Sequence, residues 1–437
     1  MPAMLYIEPQ DALIDVERDI RIDGLEPGEV VTVSSRSPRG GGVAWTSRIR
    51  VAADAGGTVS LRRDAPLDGS YEGPHPMGLC WSQVPETEGA RELFPADVLQ
   101  PIATAVTVAR GTGERWEQTF IQRLAAPGVR REEVRDEGLV GTLFHPEGPG
   151  PHPAIMILNG SGGGINEPRA ALWASHGFTA FALGYFKAPG LSPYISNTPL
   201  EYFETGLRWL RRGQRPLGGF VAIAGQSRGG ELVMLLGSRF PELVDAVLGY
   251  VPSAVVNCAQ NACDPALGRE GHAWLHEGRG IPHIWGGNRE ASWEPWDSGP
   301  EPRRHSAALL TSLRDPAAVE RARIPVERIR GPVLLLSASD DGAWPSTVYC
   351  EMIKERLAQH RHPYPVEHHE YPGGGHSILF PHVPTTQLTY RHPVSGRTST
   401  TGGTPPINAQ ADAHSWRAAL AFTRKAGRDH LSRNTPT

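Results

Sequence analysis

The sequence predicts an all-β sandwich over residues 1–125, followed by an α/β domain with a mostly parallel sheet over residues 126–437. Three observations carry that prediction. Alternating apolar and polar residues, broken by turns, run to about residue 110. Beyond about residue 126 the apolar runs become continuous, as in strands covered on both faces. Those runs end in glycine-rich turns that lead into helical patterns, the signature of strand–helix–strand units. A chain of 437 residues with 39% hydrophobic and 21% charged residues also fits two folded domains better than one core or a disordered chain.

The strands can be read in order. Ile20-Arg21-Ile22 runs into the turn Gly24–Gly28, and Val30-Val31-Thr32-Val33 begins the next strand. Trp45–Val51 is followed by the turn Asp54-Ala55-Gly56-Gly57 and by Thr58–Leu61; Met77–Trp81 and Thr104–Val108 are read as later strands. In the second region Ala154–Leu158 is a buried strand ending in Gly160-Ser161-Gly162-Gly163-Gly164, with a helix near Glu167–His176 and a strand over Phe178–Leu183. Tyr202–Arg212 places Phe203, Leu207, Trp209 and Leu210 at near-helical spacing. Val244–Tyr250 and Pro332–Leu336 are further buried strands. Residues 252–325, rich in Pro, Gly and Trp, break the pattern and are expected to form a cap or lid.

Composition excludes several classes. A net charge of −4 gives no electrostatic basis for a nucleic-acid or anionic-membrane partner. Arginine almost replaces lysine, which appears only at Lys187, Lys354 and Lys425; codon bias explains this more simply than a phosphate site. The N-terminus has no basic segment followed by an apolar run, and no run reaches the length of a membrane span, so a cytoplasmic protein is expected. Four cysteines are too few for a disulfide framework, and Cys258 with Cys263 read as structural. The pairs His368-His369 and His272 with His276 lack acidic or cysteine partners at ligand spacing, so no metal is expected.

Chemistry concentrates at Gly225-Gln226-Ser227-Arg228-Gly229, between the apolar run Phe220–Ala224 and the helical run Glu231–Leu236. A buried strand, a Gly-x-Ser-x-Gly turn and a helix are how α/β-hydrolases expose a nucleophilic serine. Serine needs a base, and the base an orienting carboxylate; in this fold they follow in the order Ser, Asp or Glu, His. Asp341 ends the strand through Val333–Leu336, with Asp340 as the alternative, and His376 follows on Gly373-Gly374-Gly375, a loop free to swing the imidazole toward Ser227. The oxyanion donors expected are the backbone N–H groups of Arg228 and of the turn Gly160, Ser161 and Gly162. That turn lacks the lysine of a P-loop.

The chain resembles the type I acyl-CoA thioesterases and bile acid-CoA:amino acid N-acyltransferases along nearly its whole length. Asp68-Gly69-Ser70-Tyr71 and Pro76–Ser82 are similar to the signature of that family's immunoglobulin-like sandwich. Asn159–Gly164 is similar to its oxyanion turn, and Gly225–Leu232 to the nucleophile segment of bacterial members. Asp340-Asp341 with Trp344, and Gly375-His376, resemble its acid and base segments, the second aspartate being the catalytic one. Gly402–Pro405 and Gln410-Ala411-Asp412 with Trp416 resemble its C-terminal stretch. Residues 257–272 depart from the pattern as an insertion in the lid, which puts the family's fatty and bile acyl range in question.

The resemblance implies an immunoglobulin-like sandwich followed by an α/β-hydrolase domain that transfers an acyl group from a thioester to water or an amine. Amine-conjugating members generally carry cysteine at the nucleophile, so Ser227 points to hydrolysis. The expectation is a serine acyl-thioester hydrolase for an acyl-CoA or acyl-carrier thioester, with CoA as part of the substrate and no other cofactor. An acyltransferase, an oxyester or lactone hydrolase, and an idle binding module are the alternatives. CoA recognition needs cations near the entrance, for which Arg228, Arg169 and Arg279 are the candidates.

Overall fold

The computed structural model describes residues 3–260, 262–378, 380–391 and 396–434. Met1 and Pro2 of the N-terminal reading, and Asn261 within the expected insertion, lie outside the described residues. The chain forms two compact units, and contacts do not divide it at a single point. The first holds the chain up to Ala126 together with residues 380–388 and Thr404–Trp416; the second holds Pro127–Ile378, Thr389–Gly403 and the remainder. The two later segments join the first unit through specific bonds. Thr385 N donates to Trp81 O at 2.9 Å, Thr386 Oγ1 to Gln83 O at 2.7 Å, and Trp416 Nε1 to Asp15 Oδ2 at 2.8 Å.

The first unit holds the β-sandwich together with the start of the long helix Pro405–Asn434. A small sheet pairs Met4–Glu8, Asp19–Asp23 and Val59–Ser60. A larger one centres on Val30–Pro38, Ala44–Ala52, Ile102–Arg110 and Arg115–Arg123. Alternation explains the layering: Ile20 and Ile22 from the first sheet bury against Val31, Val33, Ile49, Val51, Val106 and Val108 from the second. One expected strand is a helix. Gly78–Trp81 forms a single buried α-turn, because these residues bury continuously rather than alternately and Gly78 lies flat on the Tyr71 ring. A strand that the reading missed, Arg115–Arg123, is polar on most positions and so gave little apolar signal.

The second unit is built on eight strands: β1 (Arg130–Val134), β2 (Val140–His145), β3 (Ala154–Leu158), β4 (Thr179–Gly184), β5 (Val221–Gln226), β6 (Ala246–Tyr250), β7 (Val333–Ala338) and β8 (Val366–Tyr371). Their order across the sheet is β1-β2-β4-β3-β5-β6-β7-β8, with β2 antiparallel to both neighbours and the rest parallel from β4 to β8. β3, β5, β6 and β7 are buried nearly end to end, which is why they read as unbroken apolar runs. Among the helices that pack on this sheet are α1 (Glu167–Ser175), α2 (Leu200–Gln214), α3 (Arg228–Arg239) and α4 (Ser346–Gln359).

Local chemistry sets the helix limits. Asn166 caps α1 by accepting from Arg169 N, with proline in the first turn. α2 buries Phe203, Leu207 and Leu210 along one stripe and stops at Arg215, whose φ of 45° is left-handed, directly before Pro216. The chain leaves the sheet after β6 and returns at β7. Between them lie the hairpin Trp274–His276 with Arg279–Gly280 and the helices Glu294–Asp297, His305–Ser312 and Pro316–Ala322. This is the cap that the loss of pattern over residues 252–325 predicts. No helix among the described residues is long and apolar enough to cross a membrane.

Candidate active site

Ser227 stands between β5 and α3 with φ 58° and ψ −119°, a conformation that non-glycine residues rarely adopt. Its neighbours are glycine for steric reasons. A Cβ on Gly225 would fall 2.2 Å from Gly229 O, and one on Gly229 would fall 2.6 Å from the carbonyl oxygens of both Leu158 and Asn159. All the atoms in the way are backbone, so nothing cheap can move. Gly225→Ala should therefore destabilise the fold by about 2–3 kcal/mol, read as a lower urea midpoint at unchanged m-value.

His376 donates from Nδ1 to Asp341 Oδ2 at 2.9 Å. Asp341 Oδ1 accepts the backbone N–H groups of Ala343 and Trp344, each at 2.8 Å, so the carboxylate has one orientation. The Asp341 side chain is only 2% exposed. Asp340 faces elsewhere: it pairs with Arg304 at 2.7 Å and accepts from Gly403 N at 2.8 Å. Between the two aspartates, Asp341 is the one that reaches the histidine.

One of the glycines before His376 is also required for close packing. Gly375 lets the loop press against another segment. A Cβ on Gly375 would lie 2.1 Å from Gly402 O, and one on Gly342 would lie 2.4 Å from Thr400 O. Thr401 O then accepts from both Gly342 N, at 3.0 Å, and His376 N, at 2.8 Å. One carbonyl thus ties the acid loop to the base loop. Gln226 Nε2 adds a bond to His376 O at 3.3 Å.

Ser227 and His376 line one cleft of about 430 Å³, together with Gly160, Ser161, Gly162 and Trp344. Among the described residues no hydrogen bond yet joins the serine hydroxyl to the imidazole, as is common before substrate tightens a site. The Trp344 ring lies parallel to the His376 ring, with centroids 6.4 Å apart. In the turn, Gly160 contributes space more than a donor. Its N–H is taken by Asn159 Oδ1 at 3.0 Å, while a Cβ there would meet Gln226 O at 2.9 Å and Ser227 Cβ at 3.3 Å. The N–H groups of Ser161 and Gly162 and the first N–H of α3, from Arg228, remain available for an oxyanion. Asn159, which opens the segment similar to the family's oxyanion turn, shapes that turn by donating from Nδ2 to Gly163 O at 2.6 Å.

The Arg228 side chain points away from solvent. Nη1 pairs with Glu231 at 3.1 Å, and Nη2 donates to Cys258 O at 2.7 Å. Glu231, fully buried, also accepts Trp274 Nε1 at 2.7 Å and Asn257 Nδ2 at 3.0 Å. This ion pair fastens the cap to the helix that carries the nucleophile. Glu231→Gln leaves the guanidinium buried without a counter-charge, and should cost about 3–5 kcal/mol of stability in urea unfolding.

Arg228 is accordingly not a surface cation for CoA. Arg169 is not one either: it is 3% exposed and sits over the Tyr250 ring at 4.4 Å. Arg279 is exposed on the cap hairpin but does not line the cleft. Lys187 does line it. Its position just after β4 was a usable signal, since loops at the carboxyl ends of parallel strands converge on the site. His368 donates to or accepts from Ser337 Oγ at 2.8 Å, and among the described residues no three His, Cys, Asp or Glu side chains gather as a metal site needs. Cys258 and Cys263 are free buried thiols, and burial pushes Cys258 up to about 12.

The comparisons with known proteins agree across both units. Residues 15–136 match the model of the acyl-CoA thioester hydrolase/BAAT N-terminal region, and residues 198–429 that of the BAAT / acyl-CoA thioester hydrolase C terminal. The mitochondrial acyl-coenzyme A thioesterase 2 of Mus musculus is 32% identical over 97% of this chain and 89% of its own. Acyl-coenzyme A thioesterase 1 of the same species is 31% identical, over 97% of each chain. The Mus musculus peroxisomal succinyl-coenzyme A thioesterase is 29% identical, again over 97% of each. With a family model covering more than half its length and relatives above 30% identity along nearly all of it, the chain belongs to the acyl-CoA thioester hydrolase/BAAT family.

Proposed function

We propose that the protein is a serine acyl-thioester hydrolase that works on an acyl-CoA through a covalent acyl-Ser227 intermediate. The observation that carries this reading is the Asp341–His376 bond of 2.9 Å on the same cleft as a serine at a strained strand–helix turn. His376 Nε2 takes the proton of Ser227 Oγ as the oxygen attacks the thioester carbonyl carbon. The N–H groups of Arg228 and of Ser161 or Gly162 receive the developing oxyanion. The C–S bond breaks and the thiol leaves with the proton from His376. Water, deprotonated by the same imidazole, then attacks the acyl-serine and releases the acid. Asp341 holds the ring in the tautomer that leaves Nε2 free. CoA enters as part of the substrate, and the mechanism uses no cofactor. The relatives' names, acyl-coenzyme A thioesterases at 31–32% identity, support the substrate class. A reducing compartment, the cytoplasm, is part of the reading and is supported by four free cysteines.

The test is thiol release from a panel of acyl-CoAs by wild type and Ser227→Ala, with and without glycine or taurine. Serine-dependent release with free acid as product is the expected result. An amide product would make the protein an acyltransferase. Release from matched oxyesters but from no acyl-CoA would make it an esterase and sink the thioesterase reading.

A further inference from the structure

Ala343 and Trp344 form a wall shared by the reaction cleft and a second, much smaller cavity. The second cavity measures about 10 Å³, room for a single oxygen-sized group, and Arg228, Asn257 and Trp285 complete the part of its lining that matters here. Among the described residues three polar atoms of these side chains find no partner: the donors Arg228 Nε and Trp285 Nε1, and the acceptor Asn257 Oδ1. Arg228 and Trp285 are buried, at 3% and 4% exposure. An unpaired buried polar group costs about 1–3 kcal/mol, so two donors and one acceptor on one small cavity describe a place for an oxygen that accepts and, as a hydroxyl, can also donate. The charge of Arg228 is already met by Glu231 at 3.1 Å, so the cavity offers hydrogen bonds without net charge. That favours a neutral oxygen over a carboxylate. Because Arg228 follows Ser227, the cavity lies within one arginine side chain of the nucleophile. Asn257, at the start of the segment that departs from the family pattern, helps to form its wall.

We propose that this cavity recognises a hydroxyl or keto oxygen carried on the acyl chain, so that the substrates are oxygenated acyl thioesters rather than plain fatty acyl thioesters. The assignment rests on the thioesterase reading above. It is tested by comparing kcat/KM for hexanoyl-CoA with a series of hydroxy- and oxohexanoyl-CoAs substituted at carbons 3 to 6, in wild type and in Trp285→Phe. The variant deletes the indole N–H while keeping an aromatic ring against Trp293, whose ring stacks on that of Trp285 at 3.7 Å. At least one oxygenated ester should exceed hexanoyl-CoA by about tenfold or more in the wild type, and Trp285→Phe should bring that ratio toward one. A ratio of one or less across the whole series overturns the assignment and leaves the cavity to an ordered water only. So does a high ratio that Trp285→Phe does not change. Calorimetric binding of the same esters to Ser227→Ala separates this from the reaction itself. If wild type turns over none of them yet the oxygenated esters bind about tenfold tighter, the thioesterase reading fails and the cavity assignment stands; equal Kd values overturn the assignment.

Discussion

Ser227→Ala should lower acyl-CoA turnover by at least about 10⁴-fold and abolish the acyl-enzyme burst, while substrate still binds. Two features of the site make the loss this large, and a third limits it. The serine is the only proposed nucleophile, and the cap thiol Cys258 is held protonated by burial that pushes it up to about 12. His376 would keep its bond to Asp341 and could still activate water, but that water would have to find the position that the strand–helix turn gives to Oγ. The oxyanion donors are backbone groups and survive the substitution, which is why some rate above the uncatalysed reaction should persist. A stability control accompanies the kinetic one. Ser227→Gly should be equally inactive yet about 1 kcal/mol more stable than Ser227→Ala, because glycine adopts φ 58° without the cost that a Cβ imposes. Turnover of more than a few per cent in either variant, with no burst lost, would remove Ser227 from the mechanism.

The parts of this site that were legible in the sequence are those encoded by short contiguous chemistry. A buried strand followed by Gly-x-Ser-x-Gly and an apolar helix is local, and so is an aspartate just past Leu336; both sit where the pattern puts them. The parts that were not legible depend on distant segments meeting. Nothing near Gly375 announces that its missing side chain makes room for Gly402, or that Thr401 O bonds both the acid loop and the base loop. Arg228 reads as a surface cation because it is charged and next to the nucleophile. Its burial follows from Glu231 and from the cap, whose Cys258 carbonyl accepts from the guanidinium and whose Asn257 and Trp274 side chains bond Glu231. Met77–Trp81 shows the same limit at smaller scale, since a short apolar run is compatible with either a strand or a helical turn.

Asp341→Asn should lower kcat by about 10⁴-fold, equivalent to about 5 kcal/mol of transition-state stabilisation, with little change in KM or fold. The argument comes from which atoms hold the side chain. Oδ1 receives two backbone N–H groups at 2.8 Å, from Ala343 and Trp344, and an asparagine can satisfy both only by placing its carbonyl oxygen there. Its NH₂ group then takes the place of Oδ2, 2.9 Å from His376 Nδ1. Two donors cannot face each other, so Nδ1 must give up its proton and accept, and the proton moves to Nε2. The nitrogen that should take the proton of Ser227 is then already protonated. Asp340→Asn provides the contrast, because that carboxylate is 48% exposed and engages Arg304 rather than the histidine. It should change kcat by less than about tenfold. The position of the proton is read directly from the ¹⁵N chemical shifts of His376, which should place it on Nδ1 in the wild type and on Nε2 in Asp341→Asn. A proton found on Nδ1 in Asp341→Asn would leave only weakened electrostatics to explain the loss, and an Asp340 effect as large as that of Asp341 would mean that the acid has been assigned to the wrong residue.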